Sequence, residues 1–279
     1  MREAYGYFDV DGTEYTPRPM AASQWSSDQV VGPALCGLLA GAIENEHGTD
    51  GFVPVRLTVD LFKPARMRPL TVSTTRVRDG KRIRLADATL SQDEGPVARA
   101  SVVLLQPSQE PPGAIWKRPA QPVPPSADLV GPDGVPALPL WGSDDSGWSS
   151  SVSEHEDDSR KRSWQSPPPA VAGVAPTPFV RAAMAAEQTS MVTNWGDAGI
   201  GFINTDLTVG FSRLPIGAWI GLEADNHLSE RGLAVGTATL FDRHGSFGTA
   251  MITAVANAAR QISAARIDGV IAAASQSGS

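Results

Sequence analysis

Hydrophobic and polar residues alternate along the chain with a period of two, the pattern of half-buried β-strands. In the first half the alternation predicts four strands, at about residues 52–65, 70–78, 81–91 and 97–105. In the second half it predicts four more, at about 201–213, 219–227, 232–241 and 247–256. Each half therefore contains a predicted antiparallel meander.

A helix is predicted before the first meander. It covers Ala34 to Glu46, with Pro33 in its first turn and Gly48 at its end. Ser27 and Asp28 precede it and offer side-chain oxygens for its N-cap. The helix is rich in small residues, which allows close packing against a neighbouring element.

The second helix has equivalent signals. Thr177 is a predicted N-cap, Pro178 takes the first helical position, and Gly196 follows the helix as a stop. The order of elements, one helix and then four strands, is thus the same in both halves. The two helices and two meanders predict an α+β fold that occurs twice.

An internal repeat supports this duplication. When the chain is shifted by 150 positions, identical residues coincide without a gap. The coinciding pairs are Leu57, Thr58 and Val59 with Leu207, Thr208 and Val209; Ala88, Thr89 and Leu90 with Ala238, Thr239 and Leu240; Gly95 with Gly245; and Ala100 with Ala250. A repeat of this length indicates two copies of one structural module.

The segment between the copies is rich in proline and lacks periodicity, so it is predicted to be a connector. Five large apolar residues are expected to anchor it to the surface: Ile115, Trp116, Leu138, Leu140 and Trp141. The predicted domains are an N-terminal module at 1–108, the connector at 109–145 and a C-terminal module at 146–279. A charged loop at 149–163 is expected to lead into an edge strand, and the C-terminal tail to follow a short helix.

Charge and composition restrict the functional classes. The net charge of −7 disfavours nucleic acid as a partner. Cys36 is the single cysteine, which fits a reducing compartment. The segment Met1 to Val10 lacks the apolar region of a secretory signal, and the longest apolar stretch, Pro33 to Ile43, is too short to span a membrane. A cytoplasmic protein without membrane insertion is expected.

The residues resemble those of one known family. The second half contains Gly201-Phe202-Ile203-Asn204-Thr205-Asp206-Leu207-Thr208-Val209, then Arg213-Leu214-Pro215 and the turn Asp242-Arg243-His244-Gly245. The first half contains Arg56-Leu57-Thr58-Val59-Asp60-Leu61-Phe62-Lys63-Pro64. Both runs resemble the TesB-like (type II) acyl-CoA thioesterases. The resemblance implies a tandem double hotdog fold, an acyl-CoA substrate and further association into a homo-oligomer.

The resemblance also implies a catalytic site, in which an Asp, a Ser or Thr and a Gln hold the attacking water. Asp206 matches the aspartate by position, and the repeat places Arg56 at the equivalent point of the first module. The other two positions carry different residues, and Asn226 and Thr253 are the proposed substitutes. This departure leaves a second hypothesis open, a non-catalytic protein that binds acyl-CoA or acyl groups.

Candidate substrate-binding residues follow from the same resemblance. Arg56, Lys63 and Arg213 are candidates for the module interface and the CoA phosphates, and Gly37 and Gly41 for the wall of an acyl groove. The alternative is that the cations are strand-end charges and the glycines part of the core. No zinc-like His/Cys cluster, Gly-rich phosphate loop or Gly-x-Ser-x-Gly motif occurs, so no metal or cofactor is expected. A hotdog hydratase is also disfavoured, because the required Asp–His pair is missing.

Overall fold

Two helix-and-sheet modules share one long antiparallel sheet in the computed structural model, which describes residues 5–48, 50–93, 95–132 and 137–269. The N-terminal module contains β1 (Phe8–Asp11), β2 (Glu14–Pro17), α1 (Gly32–His47), β3 (Val53–Leu61), β4 (Leu70–Asp79), β5 (Ile83–Gln92) and β6 (Gly95–Leu105). The β1–β2 hairpin was not predicted from the sequence.

The C-terminal module begins inside the predicted connector, because its first strand is β7 (Leu140–Ser143). Its other elements are β8 (Lys161–Gln165), α2 (Pro178–Glu187), α3 (Thr189–Asn194), β9 (Trp195–Gly196), β10 (Gly199–Ile200), β11 (Phe202–Asn204), β12 (Asp206–Phe211), β13 (Ile220–Glu230), β14 (Leu233–Asp242) and β15 (Gly245–Ala256). Residues 264–269 are helical, and the predicted tail beyond them lies outside the described residues.

The strand order shows the duplication directly. The main path through the sheet is β1-β2-β4-β5-β6-β3-β12-β15-β14-β13-β8-β7, so β3 and β12 are the innermost strands of their modules. These two strands pair antiparallel, with Thr58 opposite Thr208. Because the repeat also equates these two threonines, the pair marks a pseudo-twofold axis. The fold is the tandem arrangement that the repeat predicted.

The helix starts differ from the sequence prediction in one module. Val31 is the N-cap of α1 and offers no side-chain acceptor, so the predicted capping by Ser27 or Asp28 is wrong. Pro33 nevertheless lies in the first turn, where its missing N–H is tolerated. In the other module the prediction is confirmed, because the Thr177 hydroxyl accepts a hydrogen bond from the Val180 N–H at 3.2 Å.

The small residues of α1 lie where it packs against α2. A Cβ atom added to Gly37 would be 2.7 Å from both Cγ and Sδ of Met184, and one added to Gly41 would be 3.7 Å from Val180. Met184 is fully buried. These contacts explain the glycines by close helix packing, and a role for Gly37 and Gly41 in an acyl groove stays a prediction.

The connector is held by polar and apolar contacts, among them Val130 against the cluster of Leu140, Trp164, Trp219 and Phe241. Ile115 and Trp116 are 77% and 81% exposed, so the prediction that they anchor it is wrong. Instead, Arg118 forms an ion pair with Asp225 at 2.6 Å, and the Ser246 hydroxyl donates to the Gln121 side chain. Of the predicted apolar anchors, Leu140 and Trp141 are buried as part of β7.

Candidate active site

A β-bulge interrupts the central strand of the C-terminal module. Asn204 lies opposite Ala254 of β15, and Thr208 lies opposite Met251. The three residues between Asn204 and Thr208 therefore face only two residues of β15, and Thr205 belongs to neither β11 nor β12. Bulges redirect side chains and occur often beside active sites. This bulge determines the position of Asp206.

The Asp206 carboxylate is fixed by Thr253. Its Oδ1 accepts the backbone N–H of Thr253 at 2.7 Å, and its Oδ2 accepts the Thr253 hydroxyl at 2.6 Å. The Thr205 hydroxyl lies 2.8 Å from the Thr253 hydroxyl. A carboxylate has about four lone-pair positions, so two remain for a water molecule or a substrate hydrogen. The structure thus brings together two of the three predicted catalytic residues.

The pseudo-twofold axis places a different set of charges at the equivalent point of the first module. Asp206 pairs across the strands with Asp60, whereas Arg56 pairs with Gly210. Asp60 forms an ion pair with Arg99 at 2.6 Å. Asp206 and Arg56 therefore occupy equivalent positions on opposite sides of the axis, as the repeat predicted, and the site is asymmetric.

A second carboxyl group lies behind the bulge. Glu187, at the end of α2, is only 7% exposed, and its Oε1 accepts the Asn204 Nδ2–H at 3.1 Å. Asn204 Nδ2 also approaches the Asp206 backbone oxygen at 3.5 Å. The carboxyl lies against the first residue of α1, since a Cβ on Gly32 would be 2.0 Å from Glu187 Oε1. Glu187 thus stabilises the bulge from within the core, through its hydrogen bond with Asn204.

Sequence reasoning missed Glu187. The available signal was a single acid that ends a run of apolar residues in a helix, Ala182 to Ala186. Burial raises the pKa of Glu187 to about 7, although the hydrogen bond from Asn204 acts in the opposite direction. Burial, and to a lesser extent the nearby Glu187 charge, raise the pKa of the Cys36 thiol well above its ordinary value.

Glu187→Gln is expected to stabilise the protein at alkaline pH. The folded-state pKa lies above the unfolded one, so the folded state binds more protons between these values, and wild-type stability falls as the pH rises from about 4.5 to about 7. The shift from 4.5 to about 7 corresponds to about 3 kcal/mol at pH 8. Urea unfolding at pH 5 and pH 8 measures this; a difference between wild type and variant that is the same at both pH values would contradict it.

Two cavities flank the strand ends. The β13–β15 cavity, of about 1010 Å³, is lined by residues that include Thr205, His227, Val235 and Thr253. The α3 cavity, of about 530 Å³, is lined by the end of α3, residues 196–199, Gly201, Phe202 and β13 around Asn226. His227 lines both, and its ring lies 5.5 Å from that of Phe202. His227 is thus common to both linings.

Asn226 lies on a different strand from Asp206. Two strands, β15 and β14, lie between β12 and β13. The strand count does not fix the distance between the side chains, because Phe202 of β11 and His227 of β13 are equally far apart in strand order and their rings lie 5.5 Å apart. A role beside Asp206 stays a prediction for Asn226. Asp225 beside it forms the ion pair with Arg118 and accepts the Thr239 hydroxyl at 2.7 Å.

The predicted phosphate ligands differ in their surroundings. Lys63 is exposed after β3. Arg213 donates to both carboxylate oxygens of Asp242, at 2.6 and 2.8 Å, and to the Gly245 carbonyl at 3.0 Å. These contacts give Arg213 a structural role, and phosphate binding by Lys63, Arg56 or Arg213 stays a prediction. Among the described residues, no three His, Cys, Asp or Glu side chains converge as a metal site would require.

The fold and the bulge define a double hotdog protein with a carboxylate at the module interface, and family comparisons agree. The model of the acyl-CoA thioesterase N-terminal domain matches residues 21–105, and that of the C-terminal domain matches residues 117–254. The chain therefore belongs to the acyl-CoA thioesterase family, with TesB-like domains in tandem. Comparison with curated protein sequences gave no significant match.

Solved structures share the fold. A thioesterase II from Thermobifida fusca is 16% identical, with a TM-score of 0.64 over 91% of this chain and 96% of that one. A tesB protein from Mycobacterium avium subspecies paratuberculosis is 16% identical, with a TM-score of 0.61 over 89% and 95%. An acyl-CoA thioesterase II from Mycobacterium marinum is 14% identical, with a TM-score of 0.55 over 89% and 93%. These similarities confirm the predicted double hotdog fold.

Within the part of the chain that the structure describes, no helix is long and apolar enough to cross a membrane.

Proposed function

We propose that this protein hydrolyses acyl-CoA thioesters and that Asp206 orients the attacking water. Membership of the acyl-CoA thioesterase family supports the activity. The observation that carries the mechanism is the position of Asp206, whose carboxylate is held by two hydrogen bonds from Thr253 at a bulge. Thr205 and Thr253, its immediate neighbours, line the β13–β15 cavity.

The chemistry follows from a fixed carboxylate. Asp206 accepts a proton from water as the water oxygen bonds to the thioester carbonyl carbon. The tetrahedral intermediate then collapses, the carbon–sulfur bond breaks, and the proton passes from Asp206 to the leaving thiolate. The products are a carboxylic acid and a free thiol. Because both Thr253 donors bind the carboxylate, Asp206 needs little reorganisation before it acts.

Release of free thiol from acyl-CoAs of increasing chain length tests the activity. A thiol-reactive dye reports hydrolysis, and we expect turnover that peaks at one range of chain lengths. Burial of an acyl chain contributes about 0.8 kcal/mol per methylene, so KM should fall with chain length until the cavity is filled. Absence of thiol release from every acyl-CoA in the series would contradict the proposal.

The second candidate is a protein that binds acyl-CoA without hydrolysing it. Thr253, which stands where the family has its Gln, is hydrogen-bonded to Asp206 through both its N–H and its hydroxyl. Asn226 lies on a different strand from Asp206, with two strands between them. Tight binding of an acyl-CoA by calorimetry, with no thiol released, would favour this second function over the first.

A further inference from the structure

The two residues on either side of the bulge point to opposite faces of the sheet. Asn204 lies opposite Ala254, which is buried in the core, and residues directly opposed on antiparallel strands share a face. Asp206 precedes Leu207, which is also buried in the core, so the alternation of the strand directs Asp206 to the outer face. In a regular strand, residues two positions apart would share a face. Thr205 is the extra residue that separates their directions.

The direction of Asp206 depends on where this extra residue lies. A shift of the pairing by one residue turns the side chains of a strand to the other face. If the extra residue lay beyond Asp206 instead of at Thr205, the Asp206 side chain would point into the core, and its two hydrogen bonds with Thr253 would be lost. A contact that holds Asn204 on the core side therefore also fixes the direction of Asp206.

Glu187 supplies such a contact from the end of α2. Its Oε1 accepts the Asn204 Nδ2–H at 3.1 Å, and among the described residues no cation forms an ion pair with it. Gly32, the first residue of α1, lies against the same oxygen. The carboxyl is therefore at the N-terminal end of a 16-residue helix, where the helix dipole favours its ionised form. Asn204 is the side chain that donates to this buried charge.

We propose that Glu187 is a positioning residue for the hydrolysis: its ionised carboxylate holds Asn204 on the core side of the sheet and thereby keeps Asp206 directed toward Thr253. The proposal rests on the proposed thioesterase function. Glu187 acts through Asn204 and leaves the chemistry to Asp206. A hydrogen bond to an ionised acceptor is about twice as strong as one between neutral groups, so protonation of Glu187 weakens its hold on Asn204.

The groups around Glu187 make it the one whose charge changes near neutral pH. Burial raises the pKa of Glu187 to about 7. The Cys36 thiol of α1 and the Tyr7 phenol before β1 both face the carboxyl, and burial raises the pKa of each above its ordinary value, so both stay neutral there. From β11 the carboxyl meets the neutral Asn204, and Asp206 of β12 points to the other face. The hold on Asn204 therefore strengthens as the pH rises through about 7.

The pH dependence of thiol release from an acyl-CoA tests the proposal. Between about pH 6 and 8, kcat/KM of the wild type is expected to rise about fivefold, mainly through kcat, because a better fixed base speeds the chemical step. Glu187→Gln keeps an oxygen acceptor for Asn204 but has no charge, so its kcat/KM should stay near the wild-type value at about pH 6 over the whole range. A flat wild-type profile, or a rise that persists in Glu187→Gln, would overturn the proposal.

Asn204→Ala tests the path from Glu187 to the base. If Glu187 acts through Asn204, this variant should lose the same rise of kcat/KM with pH. The double variant, Glu187→Gln with Asn204→Ala, should then be no less active than the less active single variant, because both changes remove one interaction. Losses that add up in the double variant would show that the two residues act independently, and this would overturn the proposal.

Glu44→Gln is the matched control. Glu44 is also a helix glutamate whose pKa is raised by burial, but its carboxylate accepts the hydroxyl of Thr177, the N-cap of α2, instead of a group at the bulge. This variant should therefore show the same rise of kcat/KM with pH as the wild type. Loss of the rise in Glu44→Gln as well would assign it to the helix packing in general and would overturn the specific role of Glu187.

Failure of the function and failure of this inference give different results. If the wild type releases no thiol at any pH, the proposed function is wrong, and NMR spectroscopy tests the coupling without turnover. The resonances of the Asn204 side-chain amide and of the Thr253 backbone N–H, which donates to Asp206, should shift together with a midpoint near pH 7 in the wild type. Neither should shift in this range in Glu187→Gln. A Thr253 resonance that does not follow that of Asn204 would overturn the inference.

Discussion

Asp206→Asn is expected to lower kcat/KM for acyl-CoA hydrolysis by about 10²–10⁴-fold, the usual contribution of a general base. The amide cannot accept the water proton, because the negative charge is lost. The fold should survive, since the amide oxygen of the substituted side chain can still accept the Thr253 N–H, and the Thr253 hydroxyl can rotate to accept from the new NH₂ group. Thiol release and thermal unfolding of the purified variant measure both effects.

Asp60→Asn is the matched control. Asp60 lies directly opposite Asp206 on the neighbouring strand, but its carboxylate is held by Arg99. Loss of this exposed ion pair should change stability by less than about 1 kcal/mol and leave thiol release within about twofold of wild type. If both variants lose activity equally, the effect is one of local charge, and Asp206 has no special role.

Thr253 provides a graded test of the same mechanism. Thr253→Val keeps the backbone donor and the branched shape but removes the hydroxyl that binds Asp206 at 2.6 Å. A partial loss of activity, about tenfold, is expected from the less fixed carboxylate, and Thr253→Ser should restore most of it. Wild-type activity in Asp206→Asn would exclude this mechanism whatever the Thr253 variants do.

The sequence predicted the global arrangement because its internal repeat reports the duplication of the module. The repeat that equates Thr58 with Thr208 also pairs them across the module interface, since a pseudo-twofold axis must pass between equivalent residues of two antiparallel central strands. Strand periodicity then defined both meanders. The bulge at Thr205 escaped prediction because one extra residue in a strand depends on the register of its neighbour.

The other features that escaped prediction have the same origin. Glu187 becomes buried because Gly32, far away in the chain, leaves room for its carboxyl. Ile115 and Trp116 are apolar yet exposed, because hydrophobicity alone does not supply a partner surface. Each depends on tertiary contacts that local patterns do not encode.

Asp242→Asn is expected to be the most destabilising substitution, with a loss of about 3 kcal/mol in the free energy of unfolding. The Asp242 side chain is inaccessible to solvent, and it accepts from the Arg213 guanidinium, the Ile216 N–H at 2.9 Å and the His244 N–H at 2.7 Å. An asparagine would turn an N–H group toward these donors and leave the guanidinium without its charge partner. Urea unfolding at pH 7 measures the loss.

Asp144→Asn is the control for Asp242→Asn, because it removes an ion pair that is exposed at the surface. Asp144 also pairs with an arginine, Arg160, but both side chains are 40% exposed or more. Its replacement should therefore lower the free energy of unfolding by less than about 1 kcal/mol. Losses of equal size in the two variants would show that burial of Asp242 adds nothing to the pair.

The pH dependence of the Asp242 contribution has a definite sign. Burial alone would raise the pKa of Asp242, but the hydrogen bonds from Arg213, Ile216 and His244 outweigh it and hold the pKa below its ordinary value of 3.8. A carboxyl with a lowered folded-state pKa contributes stability above its unfolded pKa and loses it as the pH falls through the folded one. The difference in the free energy of unfolding between wild type and Asp242→Asn should thus be constant from about pH 5 to 8 and become smaller below about pH 4.

Because Arg213 follows β12, the Asp242→Asn variant should also loosen the strand that carries Asp206. The activity of this variant at about 37 °C should therefore fall before the protein unfolds.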